Sequence, residues 1–413
     1  MNPNFETAVA NAMASTQARL DRLETYLRDD PNNPSLLQEA FATALQCQQW
    51  ERAQFHLRHA LALESNSLPW ALRECDFWLA QGAYDPALQV LQRLQTIPNP
   101  PAALADTLLH NTAFIAFQQG RYPDCTALLE HRMDLEALQQ DPELLQSTAF
   151  LSLGKLWLRA LHYAGDLEHA VQWAHQLAQA QQLHPAMAGV ASLAALDHEQ
   201  FGLAQQWATQ ALEHAQEGDK PLEALVTLAS LALGERNAPK AQALAVEALR
   251  LQPGDGRAWS ALAFADLLAG DPATACQHFD NAIKAMPGHI GTWHGLGWAQ
   301  LVQHQLPAAQ STFETALALD RNFADSHGGL AVVLALQQQT AQAQEHAKLA
   351  LRLDPASLTA RFAQALLQGE ASTPERFEAL ARKLLGSQPA PVGTGSLWEG
   401  VLESMAAKAQ QPQ

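Results

Sequence analysis

The chain is poor in charge. Only 16% of its 413 residues are Asp, Glu, Lys or Arg, against roughly 25% in an average soluble domain. Lys and Arg number 25 and Asp and Glu 42, for a formal net charge of −17. That balance argues against general nucleic-acid binding, which needs a basic surface. Long apolar runs are also missing. Nowhere do about 18 apolar residues follow one another, so no membrane insertion is expected. Met1 to Asp30 have neither a basic start nor an apolar core run, which argues against a secretory signal or an anchor. Cysteine is scarce: Cys47, Cys75, Cys125 and Cys276 show no paired spacing. Neither a disulfide framework nor a zinc motif is read from them, in keeping with a reducing, cytoplasmic compartment.

Motifs that carry chemistry are missing too. Sixteen histidines occur, yet none stands in an H-E-x-x-H spacing, and His198-Glu199 lacks the second His. His56 and His59 can share a helix face, but a metal site needs three or four convergent ligands. No Gly-rich phosphate loop is present. His327-Gly328-Gly329 resembles an oxyanion turn, with no G-x-S-x-G to accompany it. No catalytic residue, no metal and no cofactor are assigned, and the chain reads as a non-enzyme.

Ala, Leu and Gln fill the place of the missing charges, and all three favour helix. Gly256 to Arg321 shows how they are arranged. GRAWSALAFADLLAGDPATACQHFDNAIKAMPGH superimposes on IGTWHGLGWAQLVQHQLPAAQSTFETALALDR with a shift of 34 residues. Trp259 falls on Trp293, Leu262 on Leu296, Ala263 on Gly297, Ala275 on Ala309, Phe279 on Phe313 and Ala282 on Ala316. Large residues stay on large and small on small, the mark of a structural repeat. Trp259, Leu262, Ala263 and Asp266 share one face of a first helix; Ala275, Phe279 and Ala282 share one face of a second. Between them, Gly270 can end a helix, Asp271 can cap the next and Pro272 suits its first turn. Pro287 stops the second helix.

The order Trp, two residues, Leu, a small residue, then Ala, three residues, Phe, and finally Pro287 resembles the tetratricopeptide repeat. The resemblance implies an all-α, right-handed superhelix of about ten helix-turn-helix repeats with capping helices. Units begin near Pro34, Leu68, Asp106, Leu151, Pro185, Leu222, Gly256, Ile290, Ala324 and Leu358. Residues 1–33 read as an N-terminal capping helix, with Leu20, Leu23, Tyr26 and Leu27 as its stripe. Residues 34–221 read as degenerate repeats and 222–369 as well-matched ones. Residues 370–386 read as a C-terminal capping helix, 387–396 as a linker, and 397–413 as a short amphipathic helix and tail. One interval is 45 residues long. No breaker except Gly154 occurs from Pro142 to Tyr163, which predicts an unusually long first helix there.

A repeat array without chemistry offers a surface. The resemblance implies that first helices line an inner groove where peptides or partner proteins bind. In the best-matched units the face beside the core stripe carries Phe264, His294, Trp298, Val332, Phe362 and Leu366. These residues form an apolar interaction strip, or pack on the second helices and on one another. In earlier units the same face carries His110, Asn111, Lys155, Arg159 and His162. The last three are four and three apart on one helix face, suited to a carboxylate or an acidic segment, or else simply solvated. The Lys/Asn/Arg set of the family's peptide-carboxylate clamp is not matched. The stripe Leu397, Trp398, Val401, Leu402 and Met405 can dock in the chain's own groove or cap the array. The expected function is a protein-binding scaffold, adaptor or chaperone. The alternative is a non-catalytic accessory or regulatory subunit of a separate enzyme, or of a secretion, pilus or glycan-assembly complex. Missing signals and the style of the sequence suggest a bacterial, cytoplasmic protein; the sequence is silent on oligomeric state.

Overall fold

A computed structural model describes residues 3–97, 102–140, 142–215 and 220–369. The expected capping helix at 370–386, the linker at 387–396 and the Trp398 helix at 397–413 lie outside the described residues. Among the described residues there are helices and no strands. The chain divides between Asp166 and Leu167 into two compact units.

The first unit opens with α1 (Pro3–Asp29). Its Leu20, Leu23 and Leu27 are buried against Leu37, Ala40, Phe41 and Ala44, so this long helix covers the apolar face of the first pair. Three antiparallel pairs follow: α2 (Pro34–Gln46) with α3 (Trp50–Leu63), α4 (Leu68–Ala80) with α5 (Tyr84–Gln95), and α6 (Ala102–Gln118) with α7 (Tyr122–Leu129). Beyond them lie a 3-10 turn at Glu130–Arg132, α8 (Leu135–Gln140), α9 (Pro142–Gln146) and α10 (Thr148–Ala164). The expected single long helix is therefore broken. Ser147 takes an extended conformation and its hydroxyl accepts the Phe150 N–H at 3.2 Å. A serine that caps a new helix ends the previous one, and serine is not read as a breaker when only Gly and Pro are sought. The extra residues of this unit fill two short helices, α8 and α9.

The second unit comprises α11 (Leu167–Gln179) and five pairs: α12 (Pro185–Asp197) with α13 (Phe201–Glu213), α14 (Leu222–Gly234) with α15 (Ala238–Leu251), α16 (Gly256–Ala269) with α17 (Pro272–Ala285), α18 (Ile290–Val302) with α19 (Leu306–Leu319), and α20 (Ala324–Leu336) with α21 (Thr340–Leu353). It closes with α22 (Leu358–Leu367). Pro34, Leu68, Pro185, Leu222, Gly256, Ile290, Ala324 and Leu358 each begin a helix, where the repeat phase places them. The expected starts at Asp106 and Leu151 lie a few residues inside α6 and α10.

Every turn within a pair uses one device. The residue two before the second helix is left-handed, which reverses the chain in the fewest residues. Glycine does this at Gly82, Gly120 and Gly270, but Gln48, Glu199, Arg236, His304 and Gln338 hold the same conformation at φ 55–63°. Close helix approach comes from missing side chains. A Cβ on Gly297 would lie 2.8 Å from the Phe313 ring, and one on Gly329 only 2.4 Å from it. Phe313 of α19 is fully buried and fills the space these two glycines leave on α18 and α20. Phe279 of α17 is seated likewise: a Cβ on Gly295 would fall 2.3 Å from its ring.

Candidate functional site

Within the second unit successive first helices lie side by side: α12 on α14, α14 on α16, α16 on α18, α18 on α20 and α20 on α22. Successive second helices are not packed together in this way. The first helices therefore gather on one side while the second helices fan apart. The surface the first helices present is the candidate site.

Phe264 and Trp298 lie on that surface, half-buried. Phe264 meets Phe279 edge-on at 4.9 Å and Trp298 meets Phe313 edge-on at 5.8 Å. Val332 corrects the expectation. It is fully buried, because every residue from Ser326 to Leu334 of α20 is buried. A helix apolar on all sides has no open face: α18 and α22 close over α20, and Trp298, Leu301, Phe362 and Leu366 meet above Val332. Val332 is thus the floor of the strip, and the strip in part packs on itself. His294 is half-buried, with its Nε2 2.7 Å from the Ser326 hydroxyl and its ring edge-on to Phe313 and Phe323. Burial pushes its pKa below the ordinary imidazole value, against a smaller opposing pull from Asp325.

Two positions escaped the sequence reading. Val302 is 58% exposed and Leu336 is 41% exposed. They end α18 and α20 and are 34 residues apart, so the repeat phase itself is the signal that could have found them. Polar links tie the same helices together. Arg257 donates to both carboxylate oxygens of Asp197, at 3.2 and 2.7 Å, linking α16 to α12. Ser192 donates to the Thr227 hydroxyl at 3.1 Å, and Thr359 donates to Asp325 at 3.0 Å.

In the first unit the expected polar residues separate into two kinds. Asn111 is buried, its amide reaching the Cys75 sulfur at 3.7 Å. It is a core residue: burial requires its polar atoms to be satisfied within the protein. His110 stacks on Phe114 with 6.1 Å between ring centres. Lys155, Arg159 and His162 are half-buried along one face of α10, a helix with no acidic residue. At its end Tyr163, 58% exposed, joins Phe117 and Tyr122 in a cluster with ring centres 5.3–5.4 Å apart.

Among the described residues no group of three or more His, Cys, Asp and Glu can hold a metal ion. No described helix is long and apolar enough to cross a membrane. The four thiols are free, and burial pushes Cys75 up to about 11 and Cys125 up to about 12.

Comparison with known proteins places this geometry. Residues 266–333 match the family model described as tetratricopeptide repeat. A structure of IFIT1, as a monomeric mutant with m7Gppp-AAAA, superimposes with a TM-score of 0.53 at 13% identity, covering 94% of this chain and 93% of that one. The match is one of fold alone. YrrB, described as a TPR protein with an unusual peptide-binding site, gives 0.36 at 16% identity, over 46% of this chain and 97% of its own. A tetratricopeptide repeat protein from Parabacteroides merdae gives 0.41 at 14% identity, over 64% and 98%. No curated protein matches the chain.

Proposed function

We propose that this chain, a tetratricopeptide-repeat protein, is a non-catalytic scaffold or adaptor that holds a protein or peptide partner on its first-helix faces. The observation that carries the reading is the exposed apolar edge of the second unit. Val302 and Leu336 are exposed and lie four residues, one helical turn, beyond Trp298 and Val332 on the same helix faces. Apolar side chains left in water at repeated positions are costly unless something covers them. The basic face of α10, with Lys155, Arg159 and His162, is the second contact in this reading and favours an acidic stretch of the partner.

The test is affinity capture from the native source with wild type, Trp298→Ala and Arg159→Ala. The expected result is a discrete polypeptide held by wild type and depleted by one or both substitutions, with no turnover in the purified complex. Equal capture by all three proteins contradicts the proposal.

A further inference from the structure

The first unit carries another surface, on α3, the second helix of its first pair. Phe55 of α3 is 66% exposed, the most exposed large apolar side chain among the described residues. Its ring forms one wall of a hollow of about 490 Å³ between α1 and α3, whose other walls include Leu27, Pro31, Leu37 and the charged Arg28, Glu51 and Arg52. His59 stacks on the ring with 6.4 Å between centres, its Nε2 3.1 Å from Asn32 Oδ1, and His56 meets the ring edge-on at 5.5 Å. A knob and a hole therefore lie side by side on one patch.

The charges around Phe55 are arranged in the same way. Glu51, Phe55 and Arg58 are four and three residues apart, so they share one face of α3. Glu51 and Arg58 are exposed, and neither makes an ion pair among the described residues. Arg52, by contrast, is engaged by Glu24 and Asp21 at 2.6 and 2.7 Å and is not available. One negative and one positive group thus flank the knob, at roughly equal distances of about 5 Å along the helix axis.

We infer that this face binds a second copy of the chain, with α3 packed antiparallel on α3 across a two-fold axis near Gln54 and Phe55. An isologous contact needs a patch complementary to itself. Under that axis Phe55 of each copy enters the other's hollow, and Glu51 of each copy faces Arg58 of the other. Two ion pairs form for one pair of helices. A chain of net charge −17 repels its own copies over most of its surface. Across the patch Asp21, Glu24 and Glu51 are matched by Arg28, Arg52 and Arg58, so here the repulsion is relieved. A second copy brings the matching knob, hole and pair of charges by identity of sequence.

The test uses the full chain in sedimentation equilibrium across about 1–200 μM, the range in which a contact of modest area dimerises. Wild type is expected to reach twice the 44.9 kDa chain mass. Phe55→Asp is expected to remain at one chain mass with an unchanged far-ultraviolet dichroism spectrum, since the side chain is exposed. Glu51→Arg and Arg58→Glu each place like charges opposite one another, and each alone is expected to weaken dimerisation about tenfold or more. Mixed in equal amounts, the two charge variants are expected to pair with each other, because every opposed position then carries opposite charges. A single-chain mass for wild type throughout the range overturns the inference. So does a dimer that survives Phe55→Asp, or a mixture of the charge variants no more dimeric than either alone.

Discussion

The indole Nε1 of Trp293 donates a hydrogen bond to the carbonyl oxygen of Pro287 at 2.8 Å, six residues earlier. Trp259 makes the same bond to Pro253 at 2.8 Å. One repeat later His327 Nε2 reaches the Arg321 carbonyl at 2.9 Å, and after another Arg361 reaches the Pro355 carbonyl at 2.8 Å. Four positions spaced by 34 residues carry three residue types and perform one task. Each fastens the loop entering a first helix to that helix. The repeat keeps a donor at this place, while tryptophan is only one way to supply it.

Replacing Trp293 by Phe keeps most of the packing and removes the donor. Chemical denaturation is expected to show a loss of about 1 kcal/mol, the usual net worth of such a bond. No change would mean that the loop carbonyl finds water at no cost.

The left-handed turns give a change in the opposite direction. His304 holds φ 58°, a conformation that costs a non-glycine residue about 1–2 kcal/mol. His304→Gly is therefore expected to raise stability by about 1 kcal/mol, less the entropy that glycine adds to the unfolded chain. Gly270→Ala, at φ 87°, is expected to lower it by a similar amount. Denaturant midpoints of the two variants against wild type check both signs.

The seat of Phe313 is tight. Gly329→Ala brings a methyl to 2.4 Å from the ring and is expected to destabilise by about 1–3 kcal/mol despite the better helix propensity of Ala. Gly202→Ala in α13 meets nothing within 4 Å and is expected to stabilise by about 0.5–1 kcal/mol. Opposite signs for one chemical change, read by chemical denaturation, would locate the effect in packing.

Acid should loosen the second unit. Burial pushes the pKa of His289, His294 and His346 below the ordinary value of 6.5, with Arg257 adding to the effect on His289 and His327 to that on His346. A lowered imidazole pKa means that the unfolded chain binds more protons than the folded one, so stability falls as pH falls through 6.5 towards the folded-state values. His289 adds a geometric reason: its Nδ1 accepts the Thr292 N–H at 3.3 Å, which only the unprotonated nitrogen can do. Denaturation midpoints measured from pH 7.5 to 5.0 are expected to drop, and His294→Gln is expected to shrink the drop.

Much of the fold was legible because it is written in residue size. The alternation of large and small at Trp259, Ala263, Ala275 and Phe279 fixes where helices touch, and the phase carries eight helix starts to their observed positions. The legible part ends where a feature depends on neighbours beyond the pair. Val332 has the spacing of a surface residue, yet α22 closes over it, and nothing within its own repeat announces that cover. Asn111 likewise sits on a first-helix face and is buried. The break at Ser147 was missed because a capping serine looks ordinary among polar residues, and the turns at Gln48 and His304 because a left-handed glutamine or histidine has no sequence signature.

The central claim is that a partner is held on the first-helix side of the second unit. Val302→Glu and Leu336→Glu put charges on that side at positions already in water, at 58% and 41% exposure, so the fold should survive them. Leu319→Glu, at the exposed end of the second helix α19 and 44% exposed, is the matched control. The most direct measurement is the stoichiometry of the captured polypeptide for these three variants against wild type. Full occupancy is predicted for wild type and Leu319→Glu, with a loss of about tenfold or more in affinity for the other two. Retention by Val302→Glu and Leu336→Glu, with loss in Leu319→Glu, would contradict it.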